Sequence, residues 1–588
     1  MNLSDYPIRA YIHLICALIA ISFLLIACDE ESFLEAEPVD FYSPQNSYVS
    51  ASGYESAITQ LYHDFRNEFN SSASATDFPN LAYQATDMYY IHKDLGQFEP
   101  ISSLLIPENE GLIYNSLWRP AYRMIFDANV IINRAPSEEN ELTEQEATAF
   151  QAEARFFRGY MYKLLADIYG GVPIILEEVR EPKRDFIRAS REETYQQAVS
   201  DLKFAAENLG SIDEMPDHKI NNLAAYHVLS EAYISLEQWT DAIDAASVVI
   251  DDPSTSLMTQ RFGTRQNDKA LIPQHDTNVY WDLFRQGNQN RSSGNQEAIW
   301  VLQYEWETPG GNGGGPLLER LFSPRSWQAK VENDDGSTSP LVPAPNAFTA
   351  GRSSGFIAPT HWFRQTLWQN SDDWDGGNWS EREDIRNSMS NIVRDFMVRN
   401  PASDHSGKFI FKDDAPIRMA SLNDTTRNLF PSVFWVMKSS TPGQQPEAAF
   451  LDNPTVEGGL SFSHRAYRDQ YAIRLAETYL LRAEAHLGNG DPASAADDIN
   501  VVRNRAQAPP VSAGDVDIDY ILNERARELY MEENRLATLM RLGKYVERVR
   551  EHNGPLSGTI EDHNDLWPIP TTEIEKNLEA ELEQNPGY

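Results

Sequence analysis

Six tryptophans, Trp306, Trp327, Trp362, Trp368, Trp374 and Trp379, stand in polar, glycine-containing sequence. Indole faces stack on sugar rings, and nearby acids and amides bond the hydroxyls. Buried tryptophans more often sit in apolar periodic runs, as Trp118 and Trp300 do here, so several of the six read as exposed. Asp87-Met-Tyr89-Tyr90 forms a second polar-aromatic cluster. The ligand candidates are Asp87, Tyr89, Tyr90, Trp306, Trp327 and Trp362. For any one of them the alternative, a ring filling a small core beneath a long loop, stays open.

Motifs for bond-breaking chemistry fail on their context. Gly351-Arg-Ser353-Ser-Gly355 has the spacing of a nucleophile elbow, a motif that works only between a hydrophobic strand and a helix. Pro343, Pro345 and Pro359 surround it and deny a strand its ladder donors, which makes it a turn. Gly310-Gly-Asn-Gly-Gly-Gly315 lacks the Lys-Ser/Thr of a phosphate loop and reads as flexible loop. Asp372, Asp373 and Asp375 offer oxygens to a hard cation, but Asn378 sits where a calcium loop needs glycine and Asp384 where it needs glutamate. That stretch reads as a solvated acidic turn. The 12 histidines include no HExxH and no short pair, so zinc has no support, and no carboxylate pair is singled out among 88 acids. The chain is expected to be a binder with no catalytic residue, no metal and no cofactor.

These residues need a frame. Apolar residues recur at i, i+3, i+4 near 50–68, 112–134, 144–168, 191–208, 219–250, 467–487, 492–506, 518–550 and 571–583, which predicts a mostly α fold. Residues 251–461 differ. They are rich in Gly, Asn, Ser, Asp and Pro, carry most of the tryptophans, and show only short strand-like runs such as Ala298 to Tyr304. A loop-rich insertion of this length is expected to carry function. Tyr233 followed by Ala242 and Ala246, and His486 followed by Ala495 and Ile499, give two helix pairs a tetratricopeptide-like spacing in which small residues admit a neighbouring helix. Any such repeat is interrupted in sequence and must close in space.

With 49 basic and 88 acidic side chains in 588 residues, the chain carries −39 and a pI near 4.6. It offers phosphate no basic face, which excludes nucleic acid, and an anionic membrane surface repels it. Hydrophobic residues at 41% and aromatics at 11% are enough for a folded core. Tyr11 to Ala27 is an apolar run after Arg9, ending Leu25-Ile-Ala-Cys28 with acids beyond it, which reads as a secretory signal with a lipoprotein cleavage site. Cys28 is then the lipidated N-terminus. The other cysteine, Cys16, lies in the removed segment, so the mature chain has no disulfide. Acyl insertion would tether the acidic body clear of the membrane.

Further along, the residues resemble the SusD/RagB family of outer-membrane nutrient-binding lipoproteins, from end to end of the mature chain. The likeness begins at Cys28-Asp-Glu-Glu-Ser-Phe33-Leu34 and Pro38, and continues through Trp118, Tyr122, Asn129 and Arg134. Glu153-Ala-Arg-Phe-Phe157-Arg158, Tyr169-Gly-Gly-Val-Pro173, Arg188 to Tyr195 and Asp201-Leu202 follow. It is most specific at Ile473-Arg474 to Glu477, Arg482 to Ala485, Asn500 to Ala506, Glu524 to Arg535, Leu566-Trp-Pro-Ile-Pro570 and Gln584-Asn-Pro-Gly-Tyr588.

The resemblance implies a scaffold of four tetratricopeptide-like helix pairs and an irregular ligand-bearing segment. It implies a cell-surface lipoprotein of the outer membrane that captures oligosaccharides, or peptides in some members, as the lid of a SusC-like TonB-dependent barrel. The expected organisation is a signal peptide at 1–27, a lipidated tether at 28–45 and one domain at 46–588, with the scaffold at about 46–250 and 462–588. The matching blocks are structural, so the resemblance assigns no ligand residue. The Arg and Glu residues near 474–484 and 524–535 read as buried ion networks. A peptide-binding member of the same import system, or a helical scaffold that holds a protein partner, are the rival readings.

Overall fold

The computed structural model describes residues 47–69, 85–91, 100–138, 140–264, 266, 277–305, 321–322, 324, 328–343, 357–368, 384–388, 390–393, 396–410, 417–420, 435–436 and 468–588. Cys28, Trp306, Trp327, Trp374 and Trp379 lie outside these residues.

The N-terminal half is built from α1 (Ala51–Phe69), α2 (Arg119–Arg134), α3 (Glu144–Tyr169), α4 (Arg191–Asn208), α5 (Asn222–Ser235) and α6 (Trp239–Ile250), with the short strand β1 (Tyr89–Ile91) between α1 and α2. From α2 onward, each of these helices packs on the next. Local chemistry sets their ends. Thr143 and Glu146 form a capping box at the start of α3, as Ser190 and Glu193 do for α4. Helix α3 stops at Gly170, whose φ of +79° suits glycine. A Cβ on Gly171 would lie 1.9 Å from the Ala189 carbonyl oxygen, so only glycine lets the two segments meet there.

The middle of the chain contributes β2 (Ala298–Leu302), β3 (Ile357–Pro359) and the one-turn helix α7 (His361–Arg364). The C-terminal part supplies β4 (Gln470–Arg474), α8 (Leu475–Gly488), α9 (Pro492–Arg505), α10 (Ile518–Glu528), α11 (Arg535–Arg541) and α12 (Tyr545–His552). Helix α8 packs on α9 and also on α6, so the scaffold closes in space across the long insertion. At that contact the Trp239 indole covers Gly488, where a Cβ would lie 2.6 Å from the ring. Ala242, Ala246, Ala495 and Ile499, the small and apolar residues of the two spaced pairs, are all buried. Strands β2 and β4 pair antiparallel with Ala298 opposite Arg474 and Val301 opposite Tyr471, joining the insertion to the C-terminal part.

Three sequence expectations are corrected. The segment 467–487 opens as strand β4 before turning helical at Leu475. The stretch 518–550 is three helices, broken where Met531 and Gly543 take positive φ of 63° and 62°. Of 571–583 only Thr571–Lys576 is helical.

Buried ion pairs lock these parts together. Arg158 clamps Asp201 through two bonds of 2.8 and 2.7 Å and donates to Asn129 at 2.7 Å, linking α2, α3 and α4. In the C-terminal part Arg474 pairs with Glu528 at 2.7 Å and Glu532 at 2.8 Å, while Arg386 reaches Glu524 at 2.8 Å and Glu528 at 3.1 Å. Arg505 adds bonds to Glu297 at 3.0 Å and to Glu528. The networks expected near 474–484 and 524–535 are therefore present, and they are buried.

Candidate functional site

Four sequence candidates come together at one place, a two-stranded ribbon made from residues far apart in the chain. Strand β1 pairs antiparallel with β3, with Tyr89 opposite Pro359, Tyr90 opposite Ala358 and Ile91 opposite Ile357. Pro359 ends its strand, where a missing N–H costs nothing. Thr360 follows. Its N–H donates to the Met88 carbonyl at 2.8 Å, its hydroxyl donates to the Asp87 carbonyl at 2.8 Å, and the same hydroxyl caps α7 by accepting from the Phe363 N–H. Asn553 fastens the other side, its amide donating to the Thr86 and Tyr89 carbonyls at 2.6 and 3.1 Å.

Asp87 is the electrostatic anchor of the ribbon. It is fully buried, and Arg535 Nε donates to Oδ1 at 2.9 Å while Arg535 and Arg548 donate to Oδ2 at 2.5 and 3.0 Å. Burial alone would raise this carboxyl, but the two guanidiniums outweigh it and hold it well below the usual carboxylate range. The Arg548 guanidinium also lies 4.8 Å from the Trp362 ring centroid. Trp362 stacks on His552 with centroids 4.4 Å apart and planes at 17°. Burial, helped by the Arg548 charge, pushes the His552 imidazole down to about 4, so it stacks as a neutral ring at neutral pH.

The two tyrosines of β1 point to opposite sides, as strand periodicity requires. Tyr89 is 1% exposed and packs edge-on against Phe322 and Phe363 in a core beneath the insertion. Tyr90 is half-buried against the main core of the scaffold. Burial raises its phenol, and the nearby Arg364 charge pulls it partly back.

The expectation of exposure is corrected for Trp362, which is 7% exposed, and for Trp368, at 5%. Both belong to the core under the insertion, the bland reading the sequence left open. The geometry thus separates the candidates. Asp87, Tyr89 and Trp362 have their bonding and stacking turned inward, and Tyr90 is the one of the four with a substantial accessible surface. Two neighbours escaped the sequence reading: His361, which is exposed, and the half-buried Arg364. Their signal was available in Thr360-His-Trp-Phe-Arg364, a capped polar-aromatic turn. Among the described residues no group of three or more His, Cys, Asp or Glu side chains is placed to hold a metal, and no helix is long and apolar enough to cross a membrane.

Comparison with known proteins covers both halves of the scaffold. Residues 457–588 match the family model described as SusD family, and residues 40–234 match the one described as starch-binding associating with outer membrane. Between them they span more than half the chain. SusD-like protein P25 of Formosa agariphila is 23% identical over 96% of this chain and 98% of its own length. The starch-binding protein SusD of Bacteroides thetaiotaomicron is 34% identical over 22% of this chain and 24% of its own. Among solved structures, a laminarin-binding SusD-like protein superposes with a TM-score of 0.59 at 22% identity, covering 91% of this chain and 99% of the other. A SusD homologue from Bacteroides thetaiotaomicron reaches 0.64 at 17% identity, covering 93% and 98%.

Proposed function

Because the chain belongs to the SusD/RagB family, we propose that it is a non-catalytic glycan-binding lipoprotein of the outer membrane that hands oligosaccharides to a SusC-like barrel. The observation that carries this reading is the ribbon: a half-buried tyrosine ring held by a base that Asp87 and its two arginines anchor. Stacking gains most from a ring whose position is fixed before the ligand arrives. Tyr90 offers the face, the Arg364 charge lies near it, and the exposed His361 stands on the same turn as Arg364. Trp306 and Trp327, which lie outside the described residues, are proposed as ligand residues from their polar, glycine-containing sequence alone.

Asp87 itself is not built as a hydrolytic acid. A glycosidase acid needs a raised pKa, and this carboxyl is sealed between two arginines and driven the other way. A few stacked rings worth about 1 kcal/mol each, set against lost translational freedom, give an affinity of about micromolar or weaker. The family names of the matched models and relatives support the glycan class and the membrane association. Lipidation of Cys28, a tether at 28–45 and a single domain at 46–588 complete the proposal, with the helix pairs as a tetratricopeptide-like scaffold.

The test is native electrophoresis of the chain from Asp29 through gels containing plant, algal and microbial polysaccharides. Retardation in one polymer, without shortening of that polymer, is the expected result. Silence across the glycans with calorimetric heat from a peptide pool would move the protein to peptide capture.

A further inference from the structure

A second concave site lies away from the ribbon, between α2, the segment 173–186 and the C-terminal segment, with a volume of about 230 Å³. Trp118, Tyr122, Ile125, Phe126, Phe186 and Leu582 form its walls. Two polar wall groups are bonded internally: the Tyr122 hydroxyl donates to the Pro173 carbonyl at 2.7 Å, and Asn129 donates to the Ile175 carbonyl at 2.9 Å while accepting from Arg158 at 2.7 Å; the third, Glu573, lines the pocket with a carboxylate that accepts from Lys576 at 3.2 Å. A sugar entering here would find one carboxylate, already shared with Lys576, among otherwise apolar walls, and most of its hydroxyls would be stripped of water with little in return. The volume is also below the roughly 300 Å³ at which small-molecule sites begin. It suits one large side chain.

The rim shows what kind of molecule brings that side chain. Of the seven large apolar residues exposed among the described residues, one, Phe126, lines the pocket, and four, Ile106, Leu176, Ile187 and Leu578, sit on segments tied to its walls. Phe126 is itself a wall, while Leu176 and Ile187 adjoin Ile175 and Phe186. Leu578 follows Asn577, which bonds both the N–H and the carbonyl of Phe186 at 2.8 Å. Ile106 precedes Pro107, whose carbonyl accepts from the Thr571 N–H at 3.3 Å, near Glu573. Apolar rims of this kind mark association surfaces. Beside them runs an acidic strip, Glu573, Glu575, Glu579, Glu581 and Glu583, with Lys576 the one base among residues 573–583; the segment against it carries Arg180, Lys183, Arg184 and Arg188 together with Glu177, Glu178, Glu181 and Asp185, so acids outnumber bases nine to five over the two segments. Charge of that sign selects a basic partner.

We propose that this pocket docks a protein partner through one large apolar side chain flanked by lysine or arginine. The side chain fills the pocket as an anchor, the exposed apolar rim closes around it, and the glutamate strip pairs with the basic flank.

The test places the photocrosslinker p-benzoylphenylalanine at Phe126, at Ile187 and, as a control, at Val501 in the full-length chain, in cells that make it naturally. Contact peptides are then sequenced. Phe126 and Ile187 are expected to crosslink, and Val501 not, to a protein segment with a large apolar residue next to Lys or Arg. Crosslinks to lipid, to a second copy of this chain or to an acidic segment, or no excess over Val501, would overturn the proposal. Phe126→Glu is expected to cut the Ile187 crosslink about tenfold or more, as loss of one anchoring contact does. The same variant should keep its polysaccharide retention, a readout of the ribbon, so lost docking is distinguished from misfolding and from failure of the glycan reading.

Discussion

The helical scaffold and the β1/β3 ribbon are both held by buried arginine–carboxylate pairs, yet they are assembled by different rules. In the scaffold, helices of 7 to 26 residues bury their apolar stripes on neighbours, and ion pairs cross the joints between elements already formed. In the ribbon, two three-residue strands some 270 positions apart have little structure of their own, and Asp87, Thr360 and Asn553 supply the order. The face depends on the scaffold's arginines, Arg535 and Arg548, which bond Asp87.

The largest expected effect strikes the scaffold. Glu528→Gln leaves Arg474, Arg505 and Arg386 short of a shared buried carboxylate, and loss of about 3–5 kcal/mol is expected in chemical denaturation. A loss below about 1 kcal/mol would show that the joint is held by packing alone. Gly488→Val drives a side chain into the Trp239 indole and should cost about 1–3 kcal/mol, with Trp239→Ala partly rescuing it.

The ribbon gives the next effect through pH. His552 is held down to about 4 against an ordinary value near 6.5, so the unfolded state binds more protons between those values. Stability must therefore fall as pH falls from about 6.5 to 4. His552→Phe, which keeps a ring under Trp362 without the proton, should lose about 1–3 kcal/mol less than the native chain over that window in parallel denaturation series. Identical pH profiles would sink the assignment. Smallest of all is the stability change of Tyr90→Ala, within about 1 kcal/mol for a half-buried ring at a ribbon edge, although glycan retention should be lost.

How much of this was legible follows the same divide. Periodicity located the helices because each carries its own apolar stripe. It failed at 518–550, where Met531 and Gly543 break the run through backbone conformation that spacing does not encode. It also failed at 467–487, where pairing with β2 overrides a helical pattern. For the candidate site, polar-aromatic composition found Asp87, Tyr89, Tyr90 and Trp362. Polar surroundings were a poor guide to exposure, because the partners that bury Trp362 are Arg548 and His552, nearly 190 residues away. His361 and Arg364 were missed because Thr360-His-Trp-Phe-Arg364 signals a capped turn but not the ribbon that the distant strand β1 closes.

The central claim is that Tyr90 meets the ligand while Asp87 and Trp362 only hold it in place. Calorimetric titration of the retained oligosaccharide into Tyr90→Ala, with thermal melting alongside, tests it most directly. The account predicts binding weakened about tenfold or more with an almost unchanged melting temperature. Unchanged affinity in a folded Tyr90→Ala chain would contradict it.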